Sequence, residues 1–386
     1  MLESRWLRRL SPGVIALIAV ASIASTTLGA GQRRWDPPPC GEEAGTPTEA
    51  ALAAAPTDLS AVRLEAWFRL DPRLDRRGAL EGQRLALGID GERSSWVIDL
   101  PAESFAAGPF GRIVLVGTND EANSRLEAVS VVDNCSWPVA TEAAVIRRAT
   151  IDPAGATVYE MLVDRETRAD LGIWARPLDG SRPAVQVLGP IVPDERFGRT
   201  YTTEFAWDLT GPALAISSCG EAACRTRVLD PATGAVQAVA EPDLGSFIGL
   251  AGDVLVSYGA CPGLPCPIVA TGLGTGNRTI LTDAGVSAVA VASPDGPRLV
   301  HEVVVDTGLE LRSVGFDGSS LGSLGPLDND VRLQPSATVS ESGTRVPAGW
   351  VVLGPDGRLP DTGPDAETQL RRISDGTTVQ LDEVVQ

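Results

Sequence analysis

Six cysteines are the residues of this sequence whose spacing points most directly to chemistry. Four of them form two pairs of equal spacing, Cys219 with Cys224 in CGEAAC and Cys261 with Cys266 in CPGLPC. An even number of cysteines is typical of disulfide bonds when a chain is exported. A four-cysteine zinc site is the alternative, but zinc ribbons prefer C-x2-C spacing. The spacing therefore favours two short disulfides.

The two remaining cysteines, Cys40 and Cys135, are predicted to bond to one another and to attach an N-terminal spacer to an early part of the fold. Each short pair would close only a small ring, which by chain entropy contributes about 2 kcal/mol to stability. Bonded cysteines should have Cα atoms roughly 4.4 to 6.8 Å apart. We thus predict structural disulfides and no cofactor.

Other residues that could do chemistry stand alone. His301 is the single histidine and lies in the apolar stretch LVHEVVV, where a packed histidine is more common than a catalytic one. Ser320 in GSSLG matches the G-x-S-x-G nucleophile motif, but no histidine follows it in the sequence to act as the base. We therefore predict no catalytic residue.

Acidic pairs are the remaining candidates for metal ligation. Asp328 with Asp330, and Asp71 with Asp75, bring two carboxylates close together in sequence. Neither pair has the ligand spacing of an EF-hand calcium loop, so solvated loops explain them better. We predict no metal site.

The overall charge excludes one class of partner. The formal net charge is −18, and all 32 basic residues are arginines. Because no segment gathers these arginines into a basic stripe, an acidic chain of this kind should repel phosphate backbones. We predict no nucleic-acid partner.

The first 30 residues have the order of an export signal. Arginines precede an apolar run from Val14 to Ala24, and small residues follow it. The segment is predicted to be either a signal peptide cleaved after Ala24 or Gly29, or a single N-terminal membrane anchor. Residues 31–60 are rich in Pro, Ala and Thr and are predicted to form a spacer. Either outcome places the rest of the chain outside the cytoplasm.

Repetition of a short unit indicates the fold of the remaining chain, residues 61–386. The sequence has 41 Gly and 29 Pro, which interrupt it too often for long helices. The two cysteine pairs lie 42 residues apart, each between two apolar runs and before a Thr-Gly turn. Units of this length that supply a small antiparallel sheet are typical of β-propeller blades. We predict an all-β propeller.

Turn motifs carry a family resemblance. Asp152–Gly155 and Ser293–Gly296 are Pro-Gly turns before a strand, and Asp-Gly turns at Asp179 and Asp317 come after the next strand. In this respect the chain resembles the TolB-like propeller family over residues 145–325. The resemblance implies protein or peptide partners at one face of the ring.

The spacing of the turns gives the number of blades. Turn residues recur at intervals of one blade length, at Asp133, Asp179, Asp230, Gly272, Asp317 and Asp375. With a further half-blade near Ile98, seven blades are favoured. Six are possible if a strand within Ala61–Leu70 joins the last sheet to close the ring.

We therefore predict an extracytoplasmic, monomeric, non-catalytic propeller that acts as a binding or scaffold module for a protein or peptide. The alternative is a propeller enzyme of hydrolase or lactonase type that uses a metal in the central channel. Converging carboxylates at the channel would favour the enzyme. Small and apolar side chains there would favour the scaffold.

Overall fold

The structure of this protein is a computed structural model. It describes residues 40, 66–74, 80–88, 96–131, 133, 135–191, 202–220, 224–238, 244–259, 261, 263–328, 331–334, 342–345, 348–355 and 369–380. In these ranges the regular elements are all strands, so the predicted all-β class is confirmed. No helix that could cross a membrane occurs in them. The export signal, the spacer apart from Cys40, Asp75 and Asp330 lie outside them.

Six antiparallel sheets contain the 27 strands of the described residues. The first sheet is made of β1 (Ala66–Leu74), β2 (Leu80–Gly88), β3 (Trp96–Leu100) and, from much later in the chain, β24 (Ser342–Arg345). The second sheet is made of β4 (Phe105–Phe110), β5 (Ile113–Asn119), β6 (Ser124–Ser130) and β7 (Cys135–Glu142). The third is made of β8 (Val145–Ile151), β9 (Thr157–Val163), β10 (Asp170–Pro177) and β11 (Val185–Leu188).

The fourth sheet is made of β12 (Thr202–Trp207), β13 (Leu214–Cys219), β14 (Cys224–Leu229) and β15 (Val236–Ala238). The next sheet has seven strands, β16 (Leu244–Ala251), β17 (Val254–Gly259), β18 (Cys266–Gly272), β19 (Arg278–Val291), β20 (Arg298–Val305), β21 (Gly308–Gly315) and β22 (Ser320–Leu327). The last sheet is made of β23 (Val331–Leu333), β25 (Trp350–Pro355), β26 (Gln369–Arg372) and β27 (Thr378–Gln380).

Acidic turns explain why the chain reverses where it does. At the end of β8, the Asp152 carboxylate accepts hydrogen bonds from the backbone N–H groups of Ala156 at 2.7 Å and Thr157 at 3.1 Å. Gly155 has a φ of 71°, a conformation that glycine adopts without steric cost. Asp230, Asp317 and Asp375 form comparable hydrogen-bonded turns after later strands. The turn residues that the sequence singles out thus end the strands.

The long strand β19 joins two halves of the seven-stranded sheet. Its first part pairs with β18 and its second part with β20, and the two pairings meet at Gly285. A Cβ atom at Gly285 would lie 2.5 Å from Ile268 Cδ1, so a larger residue at the junction would force the Ile268 side chain to move. Val256 and Val314, one from each half, lie in a single buried cluster. The sheet therefore consists of two four-stranded halves that share β19.

Hydrophobic side chains fill the space between each sheet and the next. One buried cluster includes Phe68 from the first sheet and Val114 from the second. Another includes Leu115 from the second sheet and Ile146 from the third. Equivalent clusters lie between the following sheets. Burial of both faces of the sheets explains their continuous apolar stretches.

The first sheet differs from the expectation that a strand within Ala61–Leu70 could join the last sheet. The first strand that the structure describes, β1, pairs with β2, its neighbour in sequence, rather than joining the last sheet. Instead β24 crosses from the C-terminal region to the free edge of β1, with Gly343 opposite Phe68. A short hairpin costs less chain entropy than a long closure, which explains why β1 keeps its local partner.

One strand at the end of each sheet, together with β19 in the middle of the seven-stranded sheet, contacts the corresponding strands of the neighbouring sheets. Contacts run in order from β24 to β4, β8, β12, β16, β19 and β23. We call these seven segments the inner strands, taking residues 285–291 of β19. The number of blades predicted from the sequence is not settled by this arrangement alone, because one sheet contains seven strands.

Candidate functional site

The structure contains three disulfides, Cys40–Cys135, Cys219–Cys224 and Cys261–Cys266, and no free cysteine is present among the residues it describes. The Cα separation of Cys40 and Cys135 is 4.9 Å, and the backbone N–H of Cys40 donates to Ser136 O at 3.0 Å. This residue of the predicted spacer thus lies against β7. Disulfides of this kind persist in proteins outside the reducing cytoplasm.

The two short disulfides close comparable hairpins in successive sheets, but their registers differ. Cys219 and Cys224 are directly opposite in the β13–β14 ladder, with Cα atoms 3.9 Å apart, closer than expected from the sequence. Cys261 lies beyond the end of β17, and its Cα is 5.8 Å from that of Cys266. The second hairpin is therefore wider at its tip.

Hairpins that join the second and third strands of neighbouring sheets lie side by side. In the third sheet, Arg165 in the β9–β10 hairpin donates to Ser124 Oγ of the β5–β6 hairpin at 3.0 Å. Arg165 also donates to Ala143 O at 3.0 Å and to Asp120 O at 2.5 Å. We call the end of the molecule formed by these second-to-third-strand hairpins the hairpin end.

Exposed aliphatic side chains concentrate at hairpins of this type in other sheets. Leu264, between the cysteines of the second short disulfide, is 62% exposed, and Val304 in the β20–β21 hairpin is 58% exposed. Leu74 and Leu80 face each other at the tip of the β1–β2 hairpin and are also exposed. These residues place exposed aliphatic side chains at three hairpins of the same type, which makes the hairpin end a candidate interaction surface. Sequence analysis did not identify this surface.

Buried charges form a second feature that sequence analysis missed. Glu160 on β9 is fully buried, and its Oε1 lies 2.8 Å from Arg176 Nε on β10. Arg176 Nη2 also contacts Glu142 at the end of β7 in the second sheet. Burial raises the pKa of Glu160 to about 7, although Arg176 opposes the shift. The signal in the sequence was a glutamate inside the apolar stretch TVYEMLV.

His301 is packed in the sheet rather than placed in an open site. It is 3% exposed, and its Nδ1 has no hydrogen-bond partner among the described residues. Burial, reinforced by the positive charge of Arg312, lowers the pKa of His301 to about 4. Its neighbour Glu302 is also buried and accepts a hydrogen bond from the Leu333 N–H at 2.5 Å. His301 is therefore neutral at physiological pH.

The remaining sequence candidates stay apart. Ser320 begins β22, opposite Val314, and so lies at a strand start rather than at a strand-to-helix elbow. Asp71 belongs to β1, and Asp328 follows β22. Within the described ranges, no group of three His, Cys, Asp or Glu side chains is placed to hold a metal ion.

The inner strands have an unusual charge for this chain. Four of their residues are arginines, Arg147 and Arg148 on β8, Arg332 on β23 and Arg345 on β24. Glu204 on β12 is the one carboxylate residue on these seven described segments. Burial raises the pKa of Glu204, and the charge of Arg148 opposes that shift. Whereas the whole chain is acidic, the inner strands carry an excess of positive charge.

These features define an all-β protein of successive small sheets with apolar cores between them. Solved structures similar to it have propeller-type folds and include TolB. TolB from Acinetobacter baumannii is 14% identical, with a TM-score of 0.42, over 68% of this chain and 63% of that chain. TolB from Agrobacterium tumefaciens is 12% identical, with a TM-score of 0.40, over 74% of this chain and 98% of that chain.

A prolyl endopeptidase structure is 13% identical, with a TM-score of 0.50, over 96% of this chain and 55% of that chain. The chain thus spans about half the length of that peptidase. No protein-family model matches the sequence, and no curated protein does. At these identities the similarity concerns the fold alone. The TolB resemblance seen in the turn motifs is accordingly a resemblance of fold.

Proposed function

We propose that this chain is an extracytoplasmic seven-bladed propeller that binds a protein or peptide at its hairpin end and does not catalyse a reaction. Residues 1–30 serve as signal peptide or membrane anchor, residues 31–60 as spacer and residues 61–386 as a monomeric propeller. The exposed aliphatic residues of the hairpin end carry this proposal. The three disulfides support the location outside the cytoplasm.

The sheet arrangement supports seven blades. Five sheets have four strands each, and the seven-stranded sheet divides into two four-stranded halves at β19. On this division, an inner strand begins every blade, and β24 supplies the inner strand of the first one. Trp67 on the first sheet and Trp350 on the last are fully buried, which fits two terminal sheets that cover each other in a closed ring.

The contrast between hairpins supports a binding role for one part of the hairpin end. In the second and third sheets, hydrogen bonds donated by Arg165 hold the neighbouring hairpins together. Leu264 and Val304, in the two halves of the seven-stranded sheet, leave aliphatic surface in water. Covering such a side chain with a partner releases roughly 1.5–3 kcal/mol. This gain favours a partner with apolar side chains.

The charge of the inner strands argues against the metal-dependent enzyme. A calcium or zinc site in the channel would need several converging carboxylate or imidazole ligands. Among carboxylate residues, the described inner strands provide Glu204 alone, and the positive charge of Arg148 acts on it. Positive charge of this kind would repel a divalent cation.

Selection of peptides from a random display library against the purified protein tests the proposal. Peptides selected on the unmodified protein should bind the double variant L264S/V304S at least about tenfold more weakly, by calorimetry, because two apolar contacts are lost. The matched control is V185S/I280S, which changes two equally exposed side chains on outer strand segments. Equal weakening in both variants, or no enrichment of peptides, would contradict a binding site at the hairpin end.

A further inference from the structure

Two consecutive arginines interrupt the inner strand β8. The pairing of β8 with β9 shifts between Ile146, opposite Leu162, and Arg148, opposite Met161. Arg147 is the extra residue of this β-bulge. Bulges redirect side chains and are frequent next to functional sites, since they break the regular alternation of a strand.

No ion pair joins either arginine to an acidic side chain in the part of the chain that the structure describes. Neither Arg147 nor Arg148 has a hydrogen bond or ion pair with any other described residue. Arg147 is exposed, whereas most of Arg148 is buried. Burial lowers the pKa of Arg148, with Glu204 opposing the shift and Arg147 adding to it. Glu204 offsets this charge only from beyond ion-pair distance, so an anion in direct contact would lower the cost of burying Arg148.

The charges near the bulge fit one negative charge. Arg147 and Arg148 bring two positive charges, and Glu204 on the neighbouring inner strand brings one negative charge. A monoanion such as a carboxylate balances the net charge of these three groups. The planar guanidinium group also matches the two oxygens of a carboxylate.

We infer that Arg147 and Arg148 bind one carboxylate group of the peptide ligand at the inner strands. Arg148 holds the carboxylate, Arg147 adds a second donor from the bulge, and Glu204 keeps the site selective for a single negative charge. This inference rests on the proposed function, because it assigns the anionic part of the same ligand. It adds a chemical requirement that the apolar hairpin end does not supply.

Calorimetric titration of the full chain with small probes tests the inference. N-acetylglycine, which carries one carboxylate, should bind, and the neutral N-acetylglycinamide should not. R148Q should weaken N-acetylglycine binding at least about tenfold, because a charge-assisted hydrogen bond is lost. R147Q should weaken it too, and since Arg147 is exposed this variant decides the matter if R148Q does not fold. The control R84Q, at an exposed arginine of β2, should bind as the unmodified protein does.

Three results would overturn the inference. These are equal binding of the amide, undiminished binding by R147Q and R148Q, and binding of inorganic phosphate as strong as that of N-acetylglycine. The probe does not reach the hairpin end. Binding of N-acetylglycine together with a failed peptide selection would therefore contradict the proposed function but uphold the carboxylate site.

Discussion

Glu160 in the third sheet and His301 in the seven-stranded sheet occupy equivalent places in the repeated unit. Each lies eight residues after the first residue of a Pro-Gly turn, Asp152 or Ser293 (160 − 152 and 301 − 293). Both side chains are buried. Glu160 has Arg176 at ion-pair distance, whereas the Nδ1 atom of His301 has no hydrogen-bond partner in the described residues. The same position of the repeated unit thus holds an acidic residue with an ion-pair partner in one sheet, and in another a histidine whose Nδ1 has no described hydrogen-bond partner.

The comparison shows how burial acts on opposite charges. Removal from water disfavours the charged form of either group, so it raises the pKa of Glu160 to about 7 and lowers that of His301 to about 4. An ion pair is needed only where the buried group is to remain charged. His301 needs none because its neutral form is the stable one near pH 7.

The largest effect should come from removing the cation beside Glu160. R176M leaves Glu160 and Glu142 near each other without their shared partner, and it should lower the free energy of unfolding by about 3–5 kcal/mol. Urea unfolding measures this change. R84M, which breaks an exposed pair with Asp99, is the control and should cost at most about 1 kcal/mol. A cost for R176M as small as that of R84M would mean that the buried pair does not matter for stability.

The second largest effect, about 3 kcal/mol, should appear in the way the free energy of unfolding depends on pH at Glu160 and at His301. The pKa of Glu160 is raised from 4.5, so its contribution to stability is lost as the pH rises from 4.5 to about 7. The pKa of His301 is lowered from 6.5, so its contribution is lost as the pH falls from 6.5 to about 4. Relative to the unmodified protein, E160Q should therefore gain stability, and H301L lose it, as the pH increases.

Free energies of unfolding of the unmodified protein, E160Q and H301L at pH 4.5, 5.5 and 6.5 test this prediction. This pH range spans the ordinary pKa values of the two side chains. Relative to the unmodified protein, the free energy of unfolding should rise with pH for E160Q and fall with pH for H301L. Parallel curves for the two variants would show that burial does not shift the two pKa values in opposite directions.

The smallest effect is expected for H301L at neutral pH. Leucine is similar in size and removes the Nδ1 atom that has no partner, so the free energy of unfolding should change by no more than about 1 kcal/mol. Thermal unfolding at pH 7 provides the measurement. A loss of several kcal/mol would indicate that His301 makes a hydrogen bond to a group outside the described residues.

Local signals in the sequence predicted much of the fold. The Asp152–Gly155 and Ser293–Gly296 turns, and the hairpins closed by cysteines, act within a few residues, so their chemistry can be read directly. The fusion of two sheet halves through β19 was not predicted. Thr, Asp and Gly at residues 282–285 are typical of a turn, but tertiary packing around Gly285 extends the strand there.

The candidate sites were less predictable because they depend on distant partners. Glu160 and the Arg147–Arg148 pair were visible as charges within apolar stretches. Only the structure shows that Arg176 reaches Glu160 and that Arg147 forms a bulge in the pairing of β8 with β9. A side chain's role is set by neighbours from other strands, and one sequence does not reveal that pairing.

The pairing of β24 with β1 determines when the first sheet can be completed during synthesis of the chain. One edge of β1 has no partner until residues 342–345 have been made, after nearly the whole chain. The first sheet to be synthesised is thus among the last to be completed, and its edge stays open to wrong pairing in the meantime. A chain cut short before Ser342 would contain every residue of the first five sheets except the strand that covers this edge.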